Sequence, residues 1–299
     1  QYLNQQLTDS WEALGKLTVS KDELSRLQDF LGMSNDQGVG ARLNDFFGTL
    51  QDVATSPGDL MTRSALLAQA AQLAETFNQA AADLEASRQS LNLQVSQAVT
   101  EINSLTGQIA ELNGKIVSAE LTGQSANDLR DQREVALNEL AKRLNVSTLE
   151  TPTGGLSVYT GGGQVLVEGI TSRNLAAVAS EETDNLFDVG YDLGGTRVVS
   201  IGSQVTSGRL RALLDMRDTT IPDLQADLDR LAATLTNAVN QVHRQGFGLD
   251  GSTGNDFFDP LSVTAEPGVD NTGTATIGSE AITANSLLTF HDYEIRFSS

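Results

Sequence analysis

The apolar positions of the first half of the chain recur at helical spacing. Leu66, Ala70, Leu73, Phe77, Ala80 and Leu84 follow alternating steps of four and three. After Arg88 the pattern resumes through Leu91, Val95, Ala98, Ile102, Leu105, Ile109, Leu112 and Ile116. This is seven-residue periodicity with one apolar side, the pattern of a coiled-coil seam. Unbroken, residues 66–116 would extend about 75 Å at 1.5 Å per residue. One such helix cannot bury its seam alone, so partner helices are required, from the same chain or a neighbouring copy. Upstream, Ser20-Lys21-Asp22-Glu23 fits the capping box and predicts a short helix starting there and running to about Leu31. Gly32, Gly38 and Gly40 then break it, and a second helix is predicted over about 43–53, ahead of Ser56-Pro57-Gly58.

Beyond the seam, Ser125-x-x-Asp128 predicts a helix to about Leu144, whose Leu129, Leu137, Leu140 and Leu144 would pack back on it. Composition changes at Thr151-Pro152-Thr153-Gly154-Gly155, and the period drops to two up to about residue 205. Leu156, Val158 and Thr160, then Phe187, Val189, Tyr191 and Leu193, mark strands divided by glycine turns at 161–163 and 194–195. Helix returns at about Arg209, and Ile221, Leu224, Leu228, Leu231, Leu235, Ala238 and Val242 repeat the seam as far as Gly246. The matching seams pair the two long helices antiparallel, with the β segment inserted between them. Tyr293, Ile295 and Phe297 alternate with charged residues and open a further β segment.

The expected fold is therefore α+β and multidomain. It is an elongated antiparallel helical bundle with long coiled-coil-like helices, an inserted small antiparallel β domain and a second, partial β domain. The expected divisions are 1–150 for the first part of the bundle, 151–206 for the small β domain, 207–248 for the returning helix and 249–299 for the start of the further β domain.

Composition narrows the function. A chain of 299 residues exceeds one ordinary core, and 39% apolar with only 5% aromatic residues suits thin helical layers. With 39 acidic against 19 basic residues the formal charge is -20, a field that repels phosphate backbones and anionic lipid. Neither nucleic acid nor a membrane surface is expected as a partner. The absence of cysteine excludes a disulfide scaffold, a thiolate zinc site and a cysteine nucleophile. No apolar run approaches the roughly 18 residues that span a bilayer, and no signal-peptide pattern opens the chain. Opening on Gln1 and closing on a strand-like stretch, the sequence reads as a fragment lacking both ends.

Little catalytic chemistry is legible. His243 and His291 fall in different predicted domains, and His243 stands where a cation interacts with a helix C-terminus. No H-E-x-x-H, G-x-S-x-G or P-loop pattern is present. Gly161-Gly162-Gly163 reads as a hairpin turn, because a dinucleotide fingerprint needs a further glycine and a following helix. Asp250 and Asp256 bracket a segment that faintly suggests a calcium loop without its sixth-position Gly and twelfth-position Glu, and they are weak metal candidates. Asp128, Asp131 and Glu134 alternate with Arg130 and Arg133, a salt-bridged or solvated helix face rather than an acid–base pair. Gly107 and Gly114 lie seven apart opposite the seam, where two helix-weakening glycines permit close approach of another subunit. No cofactor and no catalytic residue are expected.

Five segments in order resemble one family. They are Leu43-Asn44-Asp45-Phe46-Phe47 with the 66–77 helix; Asn127 to Arg133, similar to N-D-L-L-D-Q-R; and Gly162 to Gly169. Next come Gly208 to Asp218, similar to G-x-L-x-G-L-L-x-x-R-D with Ala212 for the second glycine, and Asn240, His243, Gly246, Gly251, Gly254, Phe257 and Phe258, similar to N-x-x-H…G…F-F. Together they resemble the flagellar hook-associated protein 1 family. The resemblance implies a helical inner domain carrying outward β domains, in a structural, non-enzymatic adaptor between hook and filament. It implies as partners other copies of the chain, the hook protein and the second hook-associated protein. An export apparatus and chaperone would be engaged through the missing termini, and the location would be extracellular, in the flagellum, without a cleavable signal. The other readings are flagellin or the second junction protein, or a secreted adhesin or calcium-binding module resting on residues 250–256.

Overall fold

The apolar stripe folds as one unbroken helix, α3 (Leu60–Leu121), of 62 residues. The computed structural model describes residues 2–32, 38–151, 154–180, 186–194 and 197–260. No proline interrupts α3, and its seam is the buried side: Leu84, Val95, Ala98, Ile102, Ile109 and Ile116 are inaccessible to solvent, with Leu105 and Leu112 half-buried. The helix stops at Gly123, whose φ of 76° lets the Gln124 amide turn back to the Ala119 carbonyl at 3.0 Å.

Neither capping pattern marks a helix start, and the second helix begins four residues ahead of the expected 43. Ser20 and Glu23 lie inside α1 (Tyr2–Phe30), not at its beginning, so the capping-box pattern marks no boundary. Tertiary contacts made by Glu12 and Lys16 extend the helix upstream of it. Helix α2 (Val39–Thr55) precedes α3. Helix α4 (Asn127–Ala141) starts after Ala126 without a side-chain cap, so Ser125 does not cap it either.

The chain divides into two compact units. The first comprises Gln1–Ser34 and Asp83–Ile221. It holds two antiparallel sheets: β1 (Val146–Glu150), β2 (Leu156–Thr160), β3 (Val165–Glu168) and β4 (Thr171–Ser172) in sequential order, then β5 (Leu175–Ser180), β6 (Leu186–Asp192) and β7 (Val198–Ser200). The 161–163 glycines do form the β2–β3 turn, with Gly163 at φ 86° and its amide on the Thr160 carbonyl. Strands β1 and β5 escape the period-two pattern, β1 because only Val146 is buried and β5 because half of it is alanine. The β region thus begins at Val146, ahead of the expected 151. Side chains of Val158, Leu166, Val167 and Val189 fill the sheet interiors.

Helix α5 (Gly208–Asp215) begins where α4 ends: the Arg209 and Leu210 amides donate to the Lys142 and Arg143 carbonyls at 2.8 and 3.0 Å. Those carbonyls would otherwise end α4 unpaired. Gly208 permits the approach, with φ 80° and room for no β-carbon, which would stand 2.6 Å from Arg143 backbone. Helix α1 packs on the same place. A β-carbon at Gly15 would lie 1.9 Å from the Lys142 carbonyl oxygen, and Lys142 Nζ sits 4.6 Å over the Trp11 ring.

The second unit comprises Asn35–Ala82 and Pro222–Ser299. In α6 (Ile221–His243), Ala233 and Asn240 are buried, whereas Leu231 is 42% and Val242 72% exposed. The apolar stripe read from the sequence is therefore only partly the packed face. Phe46 of α2 is fully buried, its ring centroid 6.0 and 5.8 Å from those of Phe257 and Phe258. The borders expected at 150 and 206 both fall inside the first unit, because the sheets share a core with α3, α4 and α5. The further β segment and His291 lie outside the described residues.

Glycine in a helix interior ordinarily weakens it by about 1 kcal/mol relative to alanine. Gly107→Ala, with open space at its β-carbon, should stabilise by up to about that amount. Gly15→Ala should instead destabilise by about 2 kcal/mol, because the methyl meets backbone that cannot yield. Equilibrium urea unfolding measures both; two changes of the same sign would contradict the described seat of α1.

Candidate functional site

Helix α3 has committed its own peptide groups to its own hydrogen bonds, yet strands must be held against it. Three asparagines, eleven and ten residues apart, solve this. That spacing is close to three turns, so their side chains project from about the same side. An amide side chain carries the same donor and acceptor as a peptide. Asn103 uses both on one residue of β5, accepting from the Leu175 amide and donating to the Leu175 carbonyl, each at 2.8 Å. Asn113, fully buried, accepts from the Leu156 amide at 3.0 Å and donates to the carbonyls of Leu156 and Gly169 at 2.8 Å. Asn92 accepts from the Phe187 amide of β6 at 2.7 Å.

Two buried arginines complete the same contacts. Arg133 of α4 donates to Asn113 Oδ1 at 2.8 Å and to the Gly154 carbonyl at 2.7 Å. Burial pushes its pKa down, and Glu150 opposes that in part. Its neighbour Arg130 bonds Glu120 and Glu150, at 2.8 and 2.7 Å, and these bonds raise its pKa. The acids beside them in sequence, Asp128, Asp131 and Glu134, are exposed, so the pairing acids are Glu120 of α3 and Glu150 of β1.

Arg217, almost inaccessible, lies in a π-helical turn (Met216–Thr220) between α5 and α6. It holds the Asp218 carboxylate with two bonds of 2.6 and 2.9 Å, Asn92 Oδ1 at 2.9 Å and the Phe187 carbonyl at 2.6 Å. Nearby, Asp215 joins Lys16 of α1 to Arg211. Burial opposes ionisation of Asp215, but these two bonds outweigh it and hold its carboxyl below the usual range.

Among the described residues of the second unit, Asn240 makes a comparable knot. Asn240 accepts from the amides of Phe257 and Phe258 at 2.9 Å and donates to the Phe258 carbonyl at 2.8 Å. His243 lies in the last turn of α6; its Nδ1 is 2.9 Å from the Asn255 carbonyl, and its ring meets Phe257 edge-on. Of the calcium candidates, Asp256 is gripped by Arg244 at 2.6 Å, and Asp250 accepts from the Ser252 amide at 2.9 Å within a turn. Gly107 faces open space, whereas a β-carbon at Gly114 would already touch Ile170 of the same chain at 3.3 Å.

Among the described residues no group of three His, Cys, Asp or Glu side chains is placed to hold a metal ion, and no helix is long and apolar enough to cross a membrane. Sequence reasoning missed Asn92, Asn103 and Asn113. Asparagine is a poor residue for a helix interior, and three of them along one seam were a readable signal of outside partners.

Apart from Asn103 with Leu175, each knot includes a residue of the segments 127–133, 162–169, 208–218 or 240–258. The model of the flagellar hook-associated protein FlgK helical domain matches residues 24–258. The chain belongs to that family. It is 27% identical to flagellar hook-associated protein 1 of Escherichia coli (strain K12) over 301 residues, covering all of this chain and 55% of that protein. The protein of the same name from Bacillus subtilis (strain 168) is 26% identical over 282 residues, covering 87% of this chain and 55% of its own length. The solved structure of the flagellar hook junction protein FlgK from Burkholderia pseudomallei superposes with a TM-score of 0.74 at 30% identity, over 91% of this chain and 49% of that one. The chain thus spans about half the length of the relatives it matches. Within the FlgK helical domain, the Gly208–Asp218 segment now has a reading residue by residue. Gly208 admits the α4 backbone, Leu210, Ala212, Leu213 and Leu214 fill the core, and Arg217 with Asp218 fastens β6 to α3.

Replacing Arg217 by Met or Lys should each destabilise by about 3 kcal/mol, since neither reproduces the forked donor and both strand buried acceptors. Asn103→Leu should cost about 2 kcal/mol by unpairing the Leu175 backbone. Urea unfolding checks these values; losses within about 0.5 kcal/mol of zero would remove the staples from the account. Millimolar calcium should leave the melting temperature unchanged, because Asp256 is already paired. A rise of several degrees in a calorimetric scan would restore the calcium site.

Proposed function

We propose that the chain is the helical part of a structural subunit of the bacterial flagellum, an adaptor at the hook–filament junction that acts by packing and carries out no catalysis. The observation that carries this reading is the family match over residues 24–258. The likeness in fold to a flagellar hook junction protein over 91% of the chain supports it. The mechanism is mechanical. Amide staples every ten or eleven residues tie two sheets to one long helix, so load taken by a strand passes into α3 instead of peeling the sheet away.

The partners in this reading are other copies of the chain, the hook protein and the second hook-associated protein. A flagellar export apparatus and its chaperone deliver it to the cell exterior. Gly107, open at its β-carbon, is the surface candidate for a neighbouring copy, while Gly114 serves contact within the chain.

A strain deleted for the gene of the full-length protein should assemble hooks without filaments and lose swimming in soft agar, with both restored by the wild-type gene. Electron microscopy of the cell surface reads the outcome. Hooks that still bear filaments in the deleted strain would defeat the junction role.

A further inference from the structure

Helix α1 is turned inside out. Its buried side chains include Thr8, Glu12 and Glu23, with Leu27, while Leu7, Leu14, Leu17 and Leu24 are 44–67% exposed. Seating a helix by such a face gains little from burying apolar surface. Beside the close approach of Gly15 to the Lys142 backbone, the helix is therefore held chiefly by polar contacts.

Glu12 is central to those contacts. Its carboxyl accepts from the amide of Val146, the first residue of β1, at 2.8 Å. A carboxylate removed from water needs several donors or a cation, and a single backbone amide is a thin substitute. The cations on the elements packed against α1 are engaged elsewhere. Lys16 and Arg211 share Asp215; Lys142 lies over Trp11 and bonds Glu139; Arg143 bonds Glu101 and Glu139; Arg209 reaches Glu101. On β1, Glu150 belongs to Arg130 and Arg133. Asp9, on the same helix, adds charge of the same sign. Among the described residues no ion pair reaches Glu12.

We propose that Glu12 is a proton-operated seat: α1 docks against β1 with this carboxyl protonated and loosens when it ionises. Burial raises the Glu12 pKa from 4.5 to about 7, the Val146 bond opposing and Asp9 adding to the rise. A folded value above the unfolded one means that the stabilisation is complete below about pH 4.5. It declines as the pH rises through that interval and is lost above about 7. Between pH 6 and 8, linkage with those two values increases the opening of α1 about ten-fold.

Hydrogen exchange of the intact chain, read by mass spectrometry and corrected for intrinsic rates, tests this. Protection of the amides at 8–24 should fall about ten-fold from pH 6 to pH 8 in the wild type. It should stay level in Glu12→Gln, which keeps the acceptor without the charge, while the amides of α6 stay level in both proteins. A level wild type, an equal slope in Glu12→Gln, or the same slope in α6 would overturn the proposal. If Glu12→Gln fails to seat α1 at either pH, Asp9→Asn decides: a shallower slope than wild type upholds the seat, and an unchanged slope overturns it.

Discussion

A helix that has spent its peptide groups internally can hold a strand by its backbone only through side chains, and this constraint organises the first unit. Asn92, Asn103 and Asn113 supply the amide groups that α3 cannot, and each meets the first or second residue of a strand: Phe187, Leu175 and Leu156. Leucine at these positions would extend the seam and leave six strand-edge groups without donors or acceptors. The asparagines lower local helix propensity, and the packing of the whole unit offsets the loss.

The buried arginines extend the same logic. Arg133 and Arg217 each bond an asparagine of the ladder and a strand or loop carbonyl, so α4 and the α5–α6 turn are fixed to the places where the sheets are fixed. A guanidinium suits this because its planar fork serves acceptors in several directions and stays charged when buried. With so many cations directed inward or into local pairs, much of the excess of acid, 39 residues against 19 basic ones, remains on the surface. That surface disfavours polyanions.

The contrast between α1 and α3 has the same origin. On α3 Asn92, Asn103 and Asn113 bond strand backbone, and apolar residues surround them. On α1 Leu7, Leu14, Leu17 and Leu24 face out while Leu27 is buried, and the inward carboxyl of Glu12 has a single amide for company. One helix is fastened and the other is conditionally seated.

The sequence by itself determined the long helix, because a seven-residue apolar period without proline has one regular solution, and it determined the 161–163 turn, where only glycines suit the reversal. It also carried the family resemblance, since the Gly208–Asp218 and Asn240–Phe258 segments are constrained by contacts too specific for other residue types. Tertiary structure alone decided where α1 starts, because packing of Glu12 and Lys16 overrode a good capping box at Ser20. It decided too that β1 and β5 are strands, since an edge strand and an alanine-rich strand show no alternation. Above all, it decided which acids Arg130 and Arg133 pair with. Neighbours at helical spacing compete with Glu120 and Glu150 brought from elsewhere in the chain, and the fold sets these two acids 2.7–3.5 Å from the guanidinium groups.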